Sequence, residues 1–196
     1  MRTAQITRKT KETDIKTELY FDGKGTYEIE TGIGFFDHML TAFAVHSGIS
    51  VKINVVGDLF VDAHHTVEDT GIVLGQAIAM ALGNKANIKR YGNFTIPMDE
   101  SLASCSMDIS NRPFLVFNAD FSDEKIGEYD TALTEEFFRA LAFNAGITLH
   151  LNALYGKNSH HKTEALFKAF AYALKEAVTE KGQSNSTKGI VEIVRK

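Results

Sequence analysis

The sequence predicts an α+β fold: a tandem duplication of a ββαβα half-domain, with two antiparallel sheets and helices packed between them. Three observations predict it. A His-His-x-x-Glu motif occurs twice, as His64-His65-Thr66-Val67-Glu68 and as His160-His161-Lys162-Thr163-Glu164. Sliding one motif onto the other aligns their surroundings. Asp62-Ala63 falls on Asn158-Ser159, and, after a short gap, His46-Ser47-Gly48-Ile49 falls on Asn144-Ala145-Gly146-Ile147. Further upstream, His38-Met39-Leu40 falls on Glu136-Phe137-Phe138. The order of strand-like and helix-like patterns is also the same in both halves. The join is expected near Gly92 to Met98, giving half-domains 1–92 and 93–196 within one pseudo-symmetric unit.

Each half opens with two expected strands, Ile15 to Phe21 and Gly25 to Glu30 in the first, Leu102 to Ile109 and Phe114 to Phe121 in the second. A helix follows, Gly34 to His46 and Leu133 to Asn144, stopped by Gly48 and Gly146 as C-terminal caps. The alternating runs Ser50 to Val56 and Thr148 to Leu154 read as strands. A long helix closes each half, Asp62 to Leu82 and Ser159 to Glu180, with Asp62 and Ser159 as expected N-terminal caps.

Composition narrows the function. The chain has 196 residues and is 44% hydrophobic, enough for a sizeable core. Lys and Arg total 21 against 25 Asp and Glu, a formal charge of −4 that excludes a basic coat for nucleic acid. The single cysteine, Cys105, reads as a small buried hydrophobe in a reducing compartment. Met1 to Lys9 is polar with no apolar signal core, and the longest apolar runs are too short for a membrane span, so a cytoplasmic location is expected.

Histidine is the informative residue type. His64 and Glu68 share a helix face, as do His160 and Glu164, whereas His65 and His161 are rotated by about 100° from their neighbours. Two such helices suggest two metal sites, each combining the His/Glu pair of one copy with the odd histidine of the other. Imidazole plus carboxylate suits Mn, Fe, Co, Ni or Zn and poorly suits Ca or Mg. His38, whose repeat counterpart Glu136 is also metal-capable, joins the candidates. His46, near a helix end, can serve the helix dipole as a cation. His150 lies on the polar side of a strand opposite Lys52 in the repeat, which argues against a shared ligand role. The zincin pattern His-Glu-x-x-His is absent.

Five segments make the sequence recognisable: Gly34-Phe35-Phe36-Asp37-His38-Met39-Leu40, Asp62 to Asp69, Pro97-Met98-Asp99-Glu100, Asn158-Ser159-His160-His161 and Ser186-Thr187-Lys188-Gly189. Together they resemble the imidazoleglycerol-phosphate dehydratases of histidine biosynthesis, in the same motif order from Arg8 onward. The resemblance implies a hydro-lyase converting imidazole glycerol phosphate to imidazole acetol phosphate and water. It also implies two Mn2+ per chain and a homo-oligomer of about 24 subunits with shared active sites, an expectation for the assembly as a whole. It makes His38, His64, His65, Glu68, His160, His161 and Glu164 metal ligands. It assigns Arg90, Arg112, Ser186 and Lys188 to the substrate phosphate and Glu12 to substrate binding or proton handling. Many relatives carry histidine where this chain has Glu136, a position where glutamate can ligate the same ions.

The chemistry fits those residue types. The proton to be removed has no neighbouring carbonyl to acidify it, so a metal-bound imidazolate that expels the adjacent hydroxide explains why metal is needed. Glu164, then Glu12, are the expected bases. Two rivals use similar residues. A metal-dependent phosphoesterase would want more aspartates and release inorganic phosphate. A metal-storage protein would not need the basic loop around Lys188.

Overall fold

A computed structural model describes residues 2–181. The first copy comprises β1 (Thr3–Lys9), β2 (Thr13–Tyr20), β3 (Tyr27–Glu30), α1 (Gly34–Ser47), β4 (Ser50–Gly57) and α2 (His64–Leu82). The second comprises β5 (Tyr91–Met98), β6 (Ser101–Asp108), β7 (Phe114–Asn118), a small hairpin of β8 (Lys125–Ile126) and β9 (Tyr129–Asp130), then α3 (Leu133–Ala145), β10 (Thr148–Tyr155) and α4 (Ser159–Ala177). The sheets have matching orders, β1-β2-β4-β3 and β5-β6-β10-β7. Helix α2 lies on β1 and β2, α4 lies on β5 and β6, and α1 packs on α4 as α2 packs on α3. The helices therefore form the filling between two sheets, as the duplication predicts.

Three details differ from the sequence reading. One strand in each sheet is parallel to its neighbour, β3 to β4 and β7 to β10. Helices α1 and α3 cause this, because a strand–helix–strand crossover returns the chain in the same direction. Each copy also begins with a strand the sequence reading passed over, β1 and β5. Both are edge strands, where Pro97 is tolerated in β5 because its missing N–H faces no neighbour. Gly92 in β5 marks close approach: a Cβ there would lie 1.9 Å from the Ala173 carbonyl of α4. The third difference is at the helix starts. Asn158 caps α4, accepting from the His160 and His161 N–H groups, so Ser159 is already helical. Asp62 sits one residue outside the Ala63 cap position, and its Oδ1 accepts from the His64 N–H at 2.7 Å.

Gly48 and Gly146 end α1 and α3 with φ of 74° and 68°, the left-handed conformation that glycine adopts without a Cβ penalty. The core is aromatic and continuous. Phe36, Phe43, Phe137, Phe138, Phe167 and Phe170 are all buried, and Phe43 stacks on Phe170 across the α1–α4 contact at 5.7 Å. Burying each such ring contributes about 1.5–3 kcal/mol. Cys105 is buried in the second sheet, where desolvation pushes its thiol pKa up and makes it inert.

Candidate metal centre

The α1–α4 contact brings together side chains from both copies. Asp37 fixes the start of α1 by accepting from the Thr31 N–H at 2.9 Å, and His38 follows on the face toward α4. His160 and Glu164, one turn apart, approach to 3.3 Å between Nε2 and Oε2. His38 Nε2 reaches the same oxygen at 3.4 Å. One potential ligand atom from each of the three lies within 4.8 Å of the others. Donors about 2.1 Å from one ion sit about 3 Å apart when adjacent, so two imidazoles and a carboxylate at this spacing fit a first-row divalent ion. Among the described residues this is the group of three such side chains that converges so closely. Within this chain the third side chain is His38, while His65, the first copy's odd histidine, stands beside Asp58 and Glu12.

The surroundings pre-arrange the group. Phe35 meets His160 edge-on at 4.9 Å and Tyr129 at 5.3 Å, so aromatic rings wall one side. Glu164 is only 6% exposed, and its second oxygen lies 2.6 Å from Lys168 Nζ, a partner the sequence reading did not single out. Its i,i+4 spacing from Glu164 was the available signal. Burial pushes the Glu164 carboxyl up, but the Lys168 hydrogen bond and charge, with the facing His38, outweigh it and hold the pKa below the usual carboxylate value.

In the first copy the pair has no third such side chain beside it among the described residues. His64 Nε2 lies 3.4 Å from Glu68 Oε2 on α2. Glu136, the repeat counterpart of His38, stands beside Arg139 instead, with Oε2 3.9 Å from its Nε. A cleft of about 580 Å³ opens beside His64, walled by the β8–β9 hairpin through Lys125 and Glu128.

The second histidine of each motif turns away from the first, with interplanar angles of 89° for His64 and His65 and 78° for His160 and His161. Each offers Nδ1 to a carboxylate, His65 to Asp58 at 3.0 Å and His161 to Glu100 at 2.7 Å. That hydrogen bond fixes the tautomer with the proton on Nδ1 and leaves the Nε2 lone pair free for an ion. The Asp58 and Glu100 hydrogen bonds raise the two imidazole pKa values, and Glu100 is held well below the ordinary carboxylate range, first by His161. Beyond Nε2 stands a second carboxylate, Glu12 at 3.8 Å in one copy and Asp99 at 3.7 Å in the other. Both lie on equivalent β-hairpin turns. The first turn is pinned to α2 by the Arg8–Asp69 ion pair. Asp58, Asp99 and Glu100 had no assigned role in the sequence reading, although Asp99-Glu100 was part of a quoted motif.

His46 contacts Tyr172 Oη at 3.3 Å, and burial followed by the Lys168 charge lowers its pKa, so the expected helix-dipole cation is disfavoured. His150 lies exposed on β10. Arg90 and Arg112 gather elsewhere, on Asp108 at 2.6 and 3.2 Å. The Arg90 N–H donates to the Ala177 carbonyl at the far end of α4, which from Glu164 is about 20 Å along the axis at about 1.5 Å per residue. The arginines and the His38 group of one chain are therefore well apart. Ser186 and Lys188 lie outside the described residues.

Comparison with known proteins gives the family. The family model for imidazoleglycerol-phosphate dehydratase matches residues 31–174. A protein of that name from Clostridium acetobutylicum is 58% identical over 193 residues, covering 97% of this chain and 98% of its own length. One from Streptococcus sanguinis is 58% identical over 194 residues, covering 97% and 100%. The crystal structure of the Staphylococcus aureus enzyme superimposes with a TM-score of 0.83 at 45% identity, covering 91% of this chain and 99% of that one. The Pyrococcus furiosus structure gives 0.84 at 39% identity, covering 95% and 100%. The chain belongs to the imidazoleglycerol-phosphate dehydratase family, hydro-lyases of histidine biosynthesis.

Proposed function

We propose that this chain dehydrates imidazole glycerol phosphate to imidazole acetol phosphate with two Mn2+ per chain, in a cytoplasmic homo-oligomer whose active sites combine residues of different subunits. The observation that carries the metal dependence is the convergence of His38, His160 and Glu164 within 4.8 Å. His64, Glu68, His65 and His161 supply the remaining donors, and Glu136 is a further candidate through its repeat position. A divalent ion bound by these groups supplies Lewis acidity toward the substrate imidazole and lowers the pKa of its ring N–H. No helix among the described residues is long and apolar enough to cross a membrane.

The chain's own residues account for the rest. Arg90 and Arg112 present planar donor forks suited to a phosphate, with Ser186 and Lys188 adding a hydroxyl and a point charge. Glu12 is the better proton acceptor of the two expected bases. Both Glu164 oxygens are engaged, by Lys168 and by the two imidazoles, whereas the half-exposed carboxylate of Glu12 has His65 Nε2 at 3.8 Å as its one charged neighbour among the described residues. Glu12 takes the proton from the carbon beyond the departing hydroxyl. The departing hydroxide and that proton together make up the water released, and the resulting enol rearranges to the ketone.

Sharing between subunits is supported by the distance between the arginines and the His38 group. It is supported also by His65 and His161, whose Nδ1 atoms are taken by Asp58 and Glu100 and whose Nε2 atoms remain available to an ion. Ions held only in the assembly stabilise it by mass action. Elemental analysis after manganese loading should give about two ions per chain, the count for two mixed His/carboxylate sites. Metal removal should shrink the particle seen by light scattering. A manganese content near zero, or an unchanged monomer in both conditions, would contradict the proposal.

A further inference from the structure

Around the two arginines one carboxylate has no role in the chemistry described so far. Asp108 closes β6 and sits between them. Its Oδ1 accepts from Arg90 Nε at 2.6 Å and its Oδ2 from Arg90 Nη2 at 3.0 Å, a two-point fork. The same Oδ2 accepts from Arg112 Nη2 at 3.2 Å. Asp108 is 15% exposed and Arg90 20%, while Arg112 is 58% exposed, so a partly buried anion holds one shielded and one open guanidinium.

The backbone at both arginines is held with equal care. Arg90 has a left-handed φ of 76°, and Asn111, beside Arg112, one of 60°. Asparagine visits this region readily, whereas an arginine does so seldom and is held there by its neighbours. Arg90 donates its N–H to the Ala177 carbonyl at 2.9 Å and accepts from the Ile109 N–H at 3.0 Å. The Asn111 N–H donates to the Gly146 carbonyl at 2.9 Å, Lys85 Nζ donates to Asn111 Oδ1, and Thr148 Oγ1 donates to the Arg112 carbonyl at 2.7 Å. The Arg90 guanidinium also lies 5.0 Å from the Tyr91 ring centroid. Strand ends alone need none of this. A pair of forks aimed at one anion does, because bidentate recognition depends on the guanidinium plane.

We infer that Asp108 is a positioning residue for phosphate: it holds the Arg90 and Arg112 guanidiniums one carboxylate apart so that their free N–H edges converge on a single phosphate group. It also offsets one of the two positive charges, so the site depends on placement rather than on bulk charge. Without Asp108 the pair carries more net charge and less order. A role through charge alone would then tighten anion binding, and a role through placement weakens it.

The inference rests on the phosphate role of the two arginines, so the test separates the two. Asp108→Asn keeps the shape and one acceptor while removing the charge. In the metal-loaded assembly it should raise KM for imidazole glycerol phosphate about tenfold, with kcat changed far less and metal content unaltered. Inorganic phosphate should inhibit correspondingly more weakly. Asp108→Glu, which restores the carboxylate, should recover part of the loss. In an Arg90→Ala/Arg112→Ala background Asp108→Asn should add almost nothing, because its targets are gone. An unchanged KM, or tighter phosphate inhibition in Asp108→Asn, overturns the positioning role while leaving the arginines in place. Should the arginine double variant itself keep a wild-type KM, the phosphate role fails first and the inference with it. If Asp108→Asn lowers only the melting temperature, the residue is structural and the inference is wrong.

Discussion

Replacing Glu164 by Gln changes one atom of the side chain and sets two demands of the site against each other. Oε1 accepts from Lys168 at 2.6 Å, while Oε2 faces His160 and His38 at 3.3 and 3.4 Å. An amide has one oxygen. If it faces Lys168, the NH2 group faces the two imidazoles and offers a donor where an ion needs an acceptor. If it is flipped, NH2 meets the lysine cation, which is 18% exposed and has little water to turn to. Losing one hydrogen bond to a charged group costs about 2 kcal/mol, which for a chain of this size corresponds to a fall of roughly 4–8 °C in melting temperature. Loss of the anionic ligand should weaken manganese binding at least tenfold, about 1.4 kcal/mol. Calorimetric manganese titration reads the second effect, and melts with and without the ion read both. Glu68→Gln, at a 41%-exposed side chain, serves as the control with little stability change. Wild-type manganese affinity in Glu164→Gln would refute the ligand role. Normal metal-free melting would refute the claim that Lys168 depends on the carboxylate.

Three further outcomes are expected. Glu136→Ala should lose affinity for one of two ions and Glu136→His should keep it, whereas Glu135→Ala, on a residue paired with Arg139, should be close to neutral; titration of both ions in all three variants decides it. Gly75→Ala would place a Cβ 2.6 Å from the Leu141 carbonyl of α3, so it should destabilise the chain by about 1–3 kcal/mol despite alanine's better helix propensity; a gain in denaturation midpoint would contradict the packing argument. Burial lowers the Lys85 pKa to about 8. Between that pH and its ordinary value of 10.5 the unfolded chain holds the extra proton, so this group makes stability rise with pH across the window. Lys85→Gln should flatten that rise in melts from pH 7.5 to 10, and an unchanged slope would remove the effect.

Much of this was legible because duplication repeats its evidence. A lone His-His-x-x-Glu is compatible with surface histidines, but two in register fix the repeat and the His38–Glu136 correspondence. Gly48 and Gly146 end their helices where the sequence places them. Strands β1 and β5 were hidden for a physical reason: edge strands carry alternating polar residues, and in β5 Pro97 and Gly92 look like breakers until the edge position and the close approach of Ala173 are known. Parallel pairing of β3 and β7 follows from the helix crossovers, which a residue pattern does not state. Within the site, ligand types could be read from spacing. Asp58 and Glu100 could not, since their roles arise from contacts across turns, whereas Lys168 left its i,i+4 spacing from Glu164 as a signal.

The central claim is a metal-dependent loss of water from imidazole glycerol phosphate. Its most direct test is to incubate the metal-free protein with that compound, with and without manganese, and follow both the enolisable ketone and inorganic phosphate. The account predicts ketone formation that depends on manganese, with no phosphate released. Phosphate release would point to the phosphoesterase instead, and tight manganese binding without turnover would point to metal storage.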